Sequence, residues 1–135
     1  MAGNVLVDTS FLVAFLNGRD SHHHWATTQA ARSPLPWKTC EPVLAEAFYV
    51  LGSPGGSPLV DLLKRQVLIP AFRLEENLES VLGLLQKYAD VPMSLADACL
   101  VRMTELSDSV LLTADSDFGV YRRHGRQVIP RFTPL

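Results

Sequence analysis

Four carboxylates fall in four separate segments of this chain: Asp8, Glu46, Asp97 and Asp115. Asp8 closes Asn4-Val-Leu-Val-Asp8, a short apolar run that reads as a buried strand. Asp115 stands just past a second apolar run, which ends at Leu112. If those strands are neighbours, both carboxylates face one crevice; taken singly, each acid equally suits a helix N-cap or a turn. Glu46 is the only charged residue between Pro42 and Leu51, in a helix apolar nearly all round and so expected to be buried. A carboxylate there is costly unless it pairs with an arginine or meets a cation, and a metal site or catalytic pocket is the expectation. Asp97 completes Ser94-Leu-Ala-Asp97, which matches a capping box. The same position, near the positive end of a helix dipole, favours an ionised carboxylate and suits a metal ligand. Asp117 either assists the site or caps the turn carrying Phe118, the second being favoured.

Acids converging from four segments, with no Cys or His at ligand spacing, point to hard oxygen coordination of Mg²⁺ or Mn²⁺. Carboxylate clusters of that kind serve phosphoryl chemistry. Competing chemistries find little support. There is no Walker A sequence and no GxGxxG, and Ser94, Ser107 and Ser116 lie in no nucleophile elbow. His22-His23-His24 points in different directions on a helix and reads as a solvated helix start. Trp25 and Trp37 read as core residues. From Phe118 to Leu135 the chain carries Arg122, Arg123, Arg126 and Arg131, with His124 and no acid. Arg122, Arg123 and Arg126 are the candidates for holding a phosphate backbone; a solvated terminal face is the alternative.

The elements that must position these residues can be read in order. Thr9 or Ser10 caps a helix from Phe11 to Leu16, stopped by Asn17-Gly18. A second helix runs from about Ser21 to Ala31, and Leu35–Lys38 is extended. Thr39 caps a helix through Leu51, with Pro42 tolerated in its first turn. Gly52–Pro58 reads as a loop. Leu59–Arg65 is a short helix and Val67–Ile69 a strand. Leu74, Leu78, Val81, Leu82 and Leu85 follow helical spacing. Ser94 opens a helix to about Leu106, Ser109–Thr113 is a second buried strand, and Val128-Ile129 is a last short one. Apolar strands alternating with helices predict an α/β fold with a parallel sheet covered on both faces. Such sheets bind ligands at the carboxyl ends of their strands, where the strand order reverses.

The chain's 135 residues fit one domain, residues 1–135. Apolar residues make up 47% of it, which argues against disorder. Charged residues make up only 19%, a shortage that hints at surface buried against a partner. With a net charge of −2, bulk charge gives no argument for a nucleic-acid partner. Cys40 and Cys99 form neither a CxxC pair nor a zinc spacing, so a reduced, cytoplasmic protein is expected. No apolar run approaches a membrane span, and the start does not read as a signal peptide.

Val5-Leu-Val-Asp8-Thr-Ser, the helix centred on Glu46, Ser94-Leu-Ala-Asp97-Ala and Leu112-Thr-Ala-Asp115-Ser-Asp-Phe118 together resemble the PIN domain in order and spacing. The nearest type is the VapC-like toxin of bacterial toxin–antitoxin pairs. Asp20-Ser-His22-His23 resembles the start of the second helix in many such proteins. The resemblance covers about Asn4 to Ile129. It implies a three-layer α/β/α sandwich with a mainly parallel sheet, a Mg²⁺- or Mn²⁺-dependent ribonuclease, and usually a homodimer. It implies that Asp8, Glu46, Asp97 and Asp115 form the acidic quartet, with Asp8, Asp97 and Asp115 on the metal. Thr113 matches the hydroxyl preceding the fourth acid. An RNA substrate and an antitoxin that masks the pocket are further implications.

Three other classes compete, and the residues argue against each. A degenerate PIN domain would hold RNA or protein without cutting, against which the intact quartet argues. A receiver-type phosphoacceptor needs a lysine after the late strand, but Lys38, Lys64 and Lys87 all precede it. A dehalogenase-type phosphatase needs Asp-x-Asp at the first strand, where this chain has Asp8-Thr-Ser10.

Overall fold

The computed structural model of the chain describes residues 3–135. Strand β1 (Asn4–Val7) is followed by helices α1 (Thr9–Leu16) and α2 (His23–Arg32), then β2 (Trp37–Thr39). Helices α3 (Glu41–Gly55) and α4 (Ser57–Lys64) lead to β3 (Leu68–Pro70). Helices α5 (Leu78–Lys87) and α6 (Leu95–Leu106) lead to β4 (Ser109–Leu112). Short strands β5 (Arg122–Arg123), β6 (Gln127–Val128) and β7 (Arg131–Phe132) end the chain.

The main sheet has five strands in the order β3-β2-β1-β4-β7, and every pairing in it is parallel. Successive crossovers run outward from β1 to β3, then return past β1 to β4. Right-handed crossovers in opposite directions lay helices on opposite faces, giving the three-layer α/β/α sandwich. Val5, Leu6 and Val7 of β1 and Leu111 and Leu112 of β4 are buried, as strands covered on both faces must be. Phe11, Phe15, Trp25 and Trp37 pack edge-to-face and stacked against one another beside β1, so both tryptophans serve the core.

Several local expectations need correction. Asp8, rather than Thr9 or Ser10, caps α1: its Oδ1 accepts from the Phe11 N–H at 2.8 Å. Thr39 does not cap α3. Its hydroxyl donates to the Val7 carbonyl at 2.8 Å, tying β2 to β1, and Cys40 takes the cap position. Gly52–Pro58 is no extended loop. Only Gly52 and Ser53 leave helical geometry, Gly52 at φ 66°, where a side chain would be strained. Helix resumes because Pro54 and Pro58 fall in first turns, where a missing N–H leaves no bond unmade. Helix α3 is not buried all round either: Val43 and Ala47 face inward, whereas Glu46, Tyr49 and Val50 are exposed. The last strand of the main sheet is Arg131–Phe132. Val128 instead pairs with Arg122 in a two-stranded antiparallel ribbon, and Ile129 between the two is buried.

Candidate active site

The strand order reverses between β1 and β4, and a crevice of about 380 Å³ opens at that point. Asp8 directly follows β1 and Asp115 follows β4, so pairing of the strands brings both acids to one end of the sheet. Helices α3 and α6 touch, and they supply Glu46 and Asp97 to the same crevice. All four acids therefore line one pocket, together with Asp20 and His22 from the turn before α2.

Each carboxylate is anchored by a bond its own segment provides. Asp8 is 4% exposed; its Oδ1 accepts from Phe11 N–H and from the Ser10 hydroxyl at 2.7 Å, and its Oδ2 accepts from Thr113 Oγ1 at 2.5 Å. The Thr113 hydroxyl also accepts from the Asp115 N–H at 2.9 Å, and Ser10 accepts from the Ala114 N–H at 2.8 Å. Thr113 and Ser10 thus stitch the end of β1 to the turn that carries Asp115. Ser10 is a neighbour of the candidate site that its sequence motif did not single out; only its position two residues after an acid hinted at it.

The capping box is real: Ser94 Oγ accepts from the Asp97 N–H and Asp97 Oδ2 accepts from the Ser94 N–H, both at 3.0 Å. Tyr121 also donates to Asp97 Oδ2 at 3.2 Å. Asp97 Oδ1 makes no hydrogen bond to the described residues, so capping and pocket duty divide between the two oxygens. Asp115 shows the same division, with Oδ1 accepting from the Asp117 N–H at 2.9 Å and Oδ2 unused. Glu46 is exposed, yet it is held: Thr9 Oγ1 donates to its Oε1 at 2.8 Å, leaving Oε2. Asp117 is absent from the crevice lining, and its backbone rather than its carboxylate makes the turn around Phe118.

The electrostatics follow from burial and crowding. Burial pushes the Asp8 carboxyl from 3.8 up to about 6, against the pull of its Thr113, Ser10 and Phe11 hydrogen bonds. Burial, and then the charge of Asp115, raise the Asp97 carboxyl. Asp117 is raised by desolvation and then by Asp115, and the Tyr121 hydroxyl by burial and then by Asp97. The group of acids is short of positive charge.

All candidate ligands are hard oxygens. Among the described residues no three acid, imidazole or thiol groups close into a ready-made cage. Mg²⁺ is commonly held through one or two carboxylates, with water and phosphate oxygens completing an octahedron. The unused oxygens of Glu46, Asp97 and Asp115 suit an ion held in that open way.

The arginine expectation fares differently. Among the described residues, no lysine or arginine lines the crevice. Arg122 Nη1 donates to the carbonyls of Gly119, Val120 and Tyr121, and Arg123 Nη2 donates to the Thr104 carbonyl. Both guanidinium groups are engaged in holding the β5 segment, whereas Arg126 is exposed.

The match to known proteins follows this geometry. The PIN domain family matches residues 5–123, and this chain belongs to that family. The fold is that of the VapC structures: VapC20 of Mycobacterium tuberculosis, described as a sarcin-ricin loop cleaving toxin, superposes with a TM-score of 0.75 at 21% identity, covering 94% of this chain and 100% of that one. VapBC2 of Rickettsia felis, solved bound to a DNA fragment from its promoter, gives a TM-score of 0.61 at 15% identity over 96% of this chain and 97% of that one. No curated protein sequence matches the chain. Among the described residues, no helix is long and apolar enough to cross a membrane.

Proposed function

We propose that this protein is a metal-dependent endoribonuclease, the toxin of a toxin–antitoxin pair. The observation that carries the reading is the convergence of Asp8, Glu46, Asp97 and Asp115 on one crevice at the switch point of a PIN-family sheet. Asp8, Asp97 and Asp115 would hold Mg²⁺ or Mn²⁺, directly or through water. Bound there, the ion would supply a more acidic water and neutralise charge on the phosphate oxygens. Glu46, fixed by Thr9, orients the attacking water for in-line displacement at phosphorus, which leaves 5′-phosphate and 3′-hydroxyl ends. Thr113 and Ser10 keep the buried Asp8 carboxylate aimed, and Asp117 supports the turn that presents Asp115.

Away from the metal, the exposed Arg126 is the first candidate to meet a backbone phosphate, with Arg122 and Arg123 the further candidates near it in sequence. The likeness to VapC20, a sarcin-ricin loop cleaving toxin, supports RNA as the substrate class, and the family resemblance supports an antitoxin. The exposed Tyr49 and Val50 beside the crevice support a homodimer. A PIN nuclease with no antitoxin, or a module that binds RNA without cutting, are the competing readings. Purified protein should cleave RNA with Mg²⁺, stop on chelation and restart with Mn²⁺, and Asp115→Asn should abolish cleavage without unfolding. Metal-indifferent binding without cleavage would favour the binding module. A short reading frame overlapping the start of this one would favour the toxin over the stand-alone nuclease.

A further inference from the structure

The three consecutive histidines before and within α2 have three different fates. His23 Nδ1 donates to the Ala14 carbonyl at 2.8 Å, clamping the start of α2 onto α1. His24 is exposed, and its carbonyl accepts from Thr27 and Thr28. His22 is half-buried and lines the crevice with the four acids. Its ring makes no hydrogen bond to the described residues; only its backbone is used, the N–H by Asp20 Oδ1 at 2.8 Å and the carbonyl by the Ala26 N–H at 2.9 Å.

The other side-chain donors of the crevice are spoken for. The Thr9 hydroxyl is given to Glu46 and the Ser10 hydroxyl to Asp8. The remaining polar side chains of the lining are carboxylates, which accept when ionised. Among the described residues, His22 is thus the one lining side chain with an N–H donor, and the one donor there left uncommitted. A phosphodiester entering among carboxylates needs donors on its oxygens, and a cation can serve only one side of it. His22 is also pre-positioned. Asp20 fixes its backbone, the Asp20 N–H is itself held by the Asn17 carbonyl at 3.0 Å, and the next residue is pinned to α1.

We propose that the His22 imidazole donates a hydrogen bond to an oxygen of the phosphodiester bound in this crevice, which makes His22 a catalytic residue of the reaction. The catalytic part rests on the nuclease reading; the contact itself does not.

The test uses an RNA oligonucleotide with Ca²⁺, whose looser coordination supports binding without the in-line reaction, as an uncleaved probe, followed by cleavage of the same RNA with Mg²⁺. On adding the probe, the His22 ring resonances should move while those of His23, engaged with Ala14, stay. His22→Ala should weaken probe binding and lower kcat by roughly a hundredfold, the usual scale for one lost donor to a developing charge. His22→Gln, which keeps an N–H, should recover part of the rate, and both variants should keep the thermal upshift produced by Mn²⁺. Shifted His22 signals in a protein that cuts nothing would sustain the contact and sink the nuclease reading. Cleavage by the wild type with unmoved His22 signals, or with an undiminished His22→Ala rate, would overturn the proposal and leave that reading standing. Failure of the wild type to bind the probe at all would overturn both.

Discussion

Thr113 Oγ1 reaches across the β1–β4 junction to Asp8 Oδ2 at 2.5 Å, while the same oxygen accepts from the Asp115 backbone. One fully buried hydroxyl therefore sets the position of two acids from opposite ends of the chain. Thr113→Val preserves shape but strips a donor from Asp8 and an acceptor from the Asp115 N–H. Urea unfolding should show a loss of about 1–3 kcal/mol, the usual result of leaving buried polar groups unpaired. Cleavage should fall as well. Unfolding and cleavage both unchanged would mean that Thr113 is a filler.

Asp8 gives a pH dependence with a definite sign. Its carboxyl rises from 3.8 unfolded to about 6 folded, so ionising it opposes folding by about 3 kcal/mol. The stability of the fold with a neutral Asp8 is fully present below about pH 4 and is lost as pH rises through about 6. Asp8→Asn keeps a good capping oxygen and removes the charge. Metal-free Asp8→Asn should melt several degrees above wild type at about pH 7, with the difference closing at about pH 4. A variant that melts lower at neutral pH would show that the lost acceptor outweighs the buried charge.

Asp97 serves as both cap and candidate ligand, and two substitutions separate the roles. Ser94→Ala should cost about 1 kcal/mol through the lost cap, yet retain metal-dependent cleavage. Asp97→Asn should abolish cleavage and shrink the Mn²⁺-induced rise in melting temperature while the protein stays folded. The reverse pattern would make Asp97 a cap alone.

The arginines should divide as their contacts do. Arg126→Gln should leave stability unchanged and flatten the salt dependence of RNA binding by about 0.7 in logarithmic slope. Arg123→Gln should chiefly destabilise, because it frees the Thr104 carbonyl. An unaltered slope for Arg126→Gln would move the phosphate contacts elsewhere.

Tyr49 is 88% exposed and Val50 58%, an apolar pair at the mouth of the crevice. Light scattering should give about twice 14.9 kDa at tens of micromolar, order-of-magnitude conditions for a weak interface. Tyr49→Asp should return it to 14.9 kDa. A monomeric wild type would leave that face to another partner.

The sheet was legible because fully buried parallel strands write themselves as apolar runs, and Val5–Val7 and Leu111-Leu112 are such runs. The capping box at Ser94 was legible because its bonds are local. What escaped was decided by contacts distant in the chain. Thr39 had two possible partners, and the Val7 carbonyl won only because β2 docks on β1. Glu46 looked buried because its neighbours are apolar, yet those neighbours include the exposed face with Tyr49 and Val50. His22 was indistinguishable from His23 and His24 by type; only the placement of α2 against α1 sorts them. The arginine cluster had the right composition for phosphate, but backbone carbonyls nearby claimed two of its members.

The central place of β1, with β2 on one side and β4 on the other, also governs when the pocket can exist during synthesis. Asp8 leaves the ribosome 105 residues ahead of its Thr113 partner, Asp115 arrives only after β4, and the flanking β7 comes later still. Until then β1 has one bare edge and the acids have no common floor. On the nuclease reading proposed above, the nascent chain therefore has no crevice with which to cut until β4 has docked, and a message truncated before Ser109 encodes a product without it.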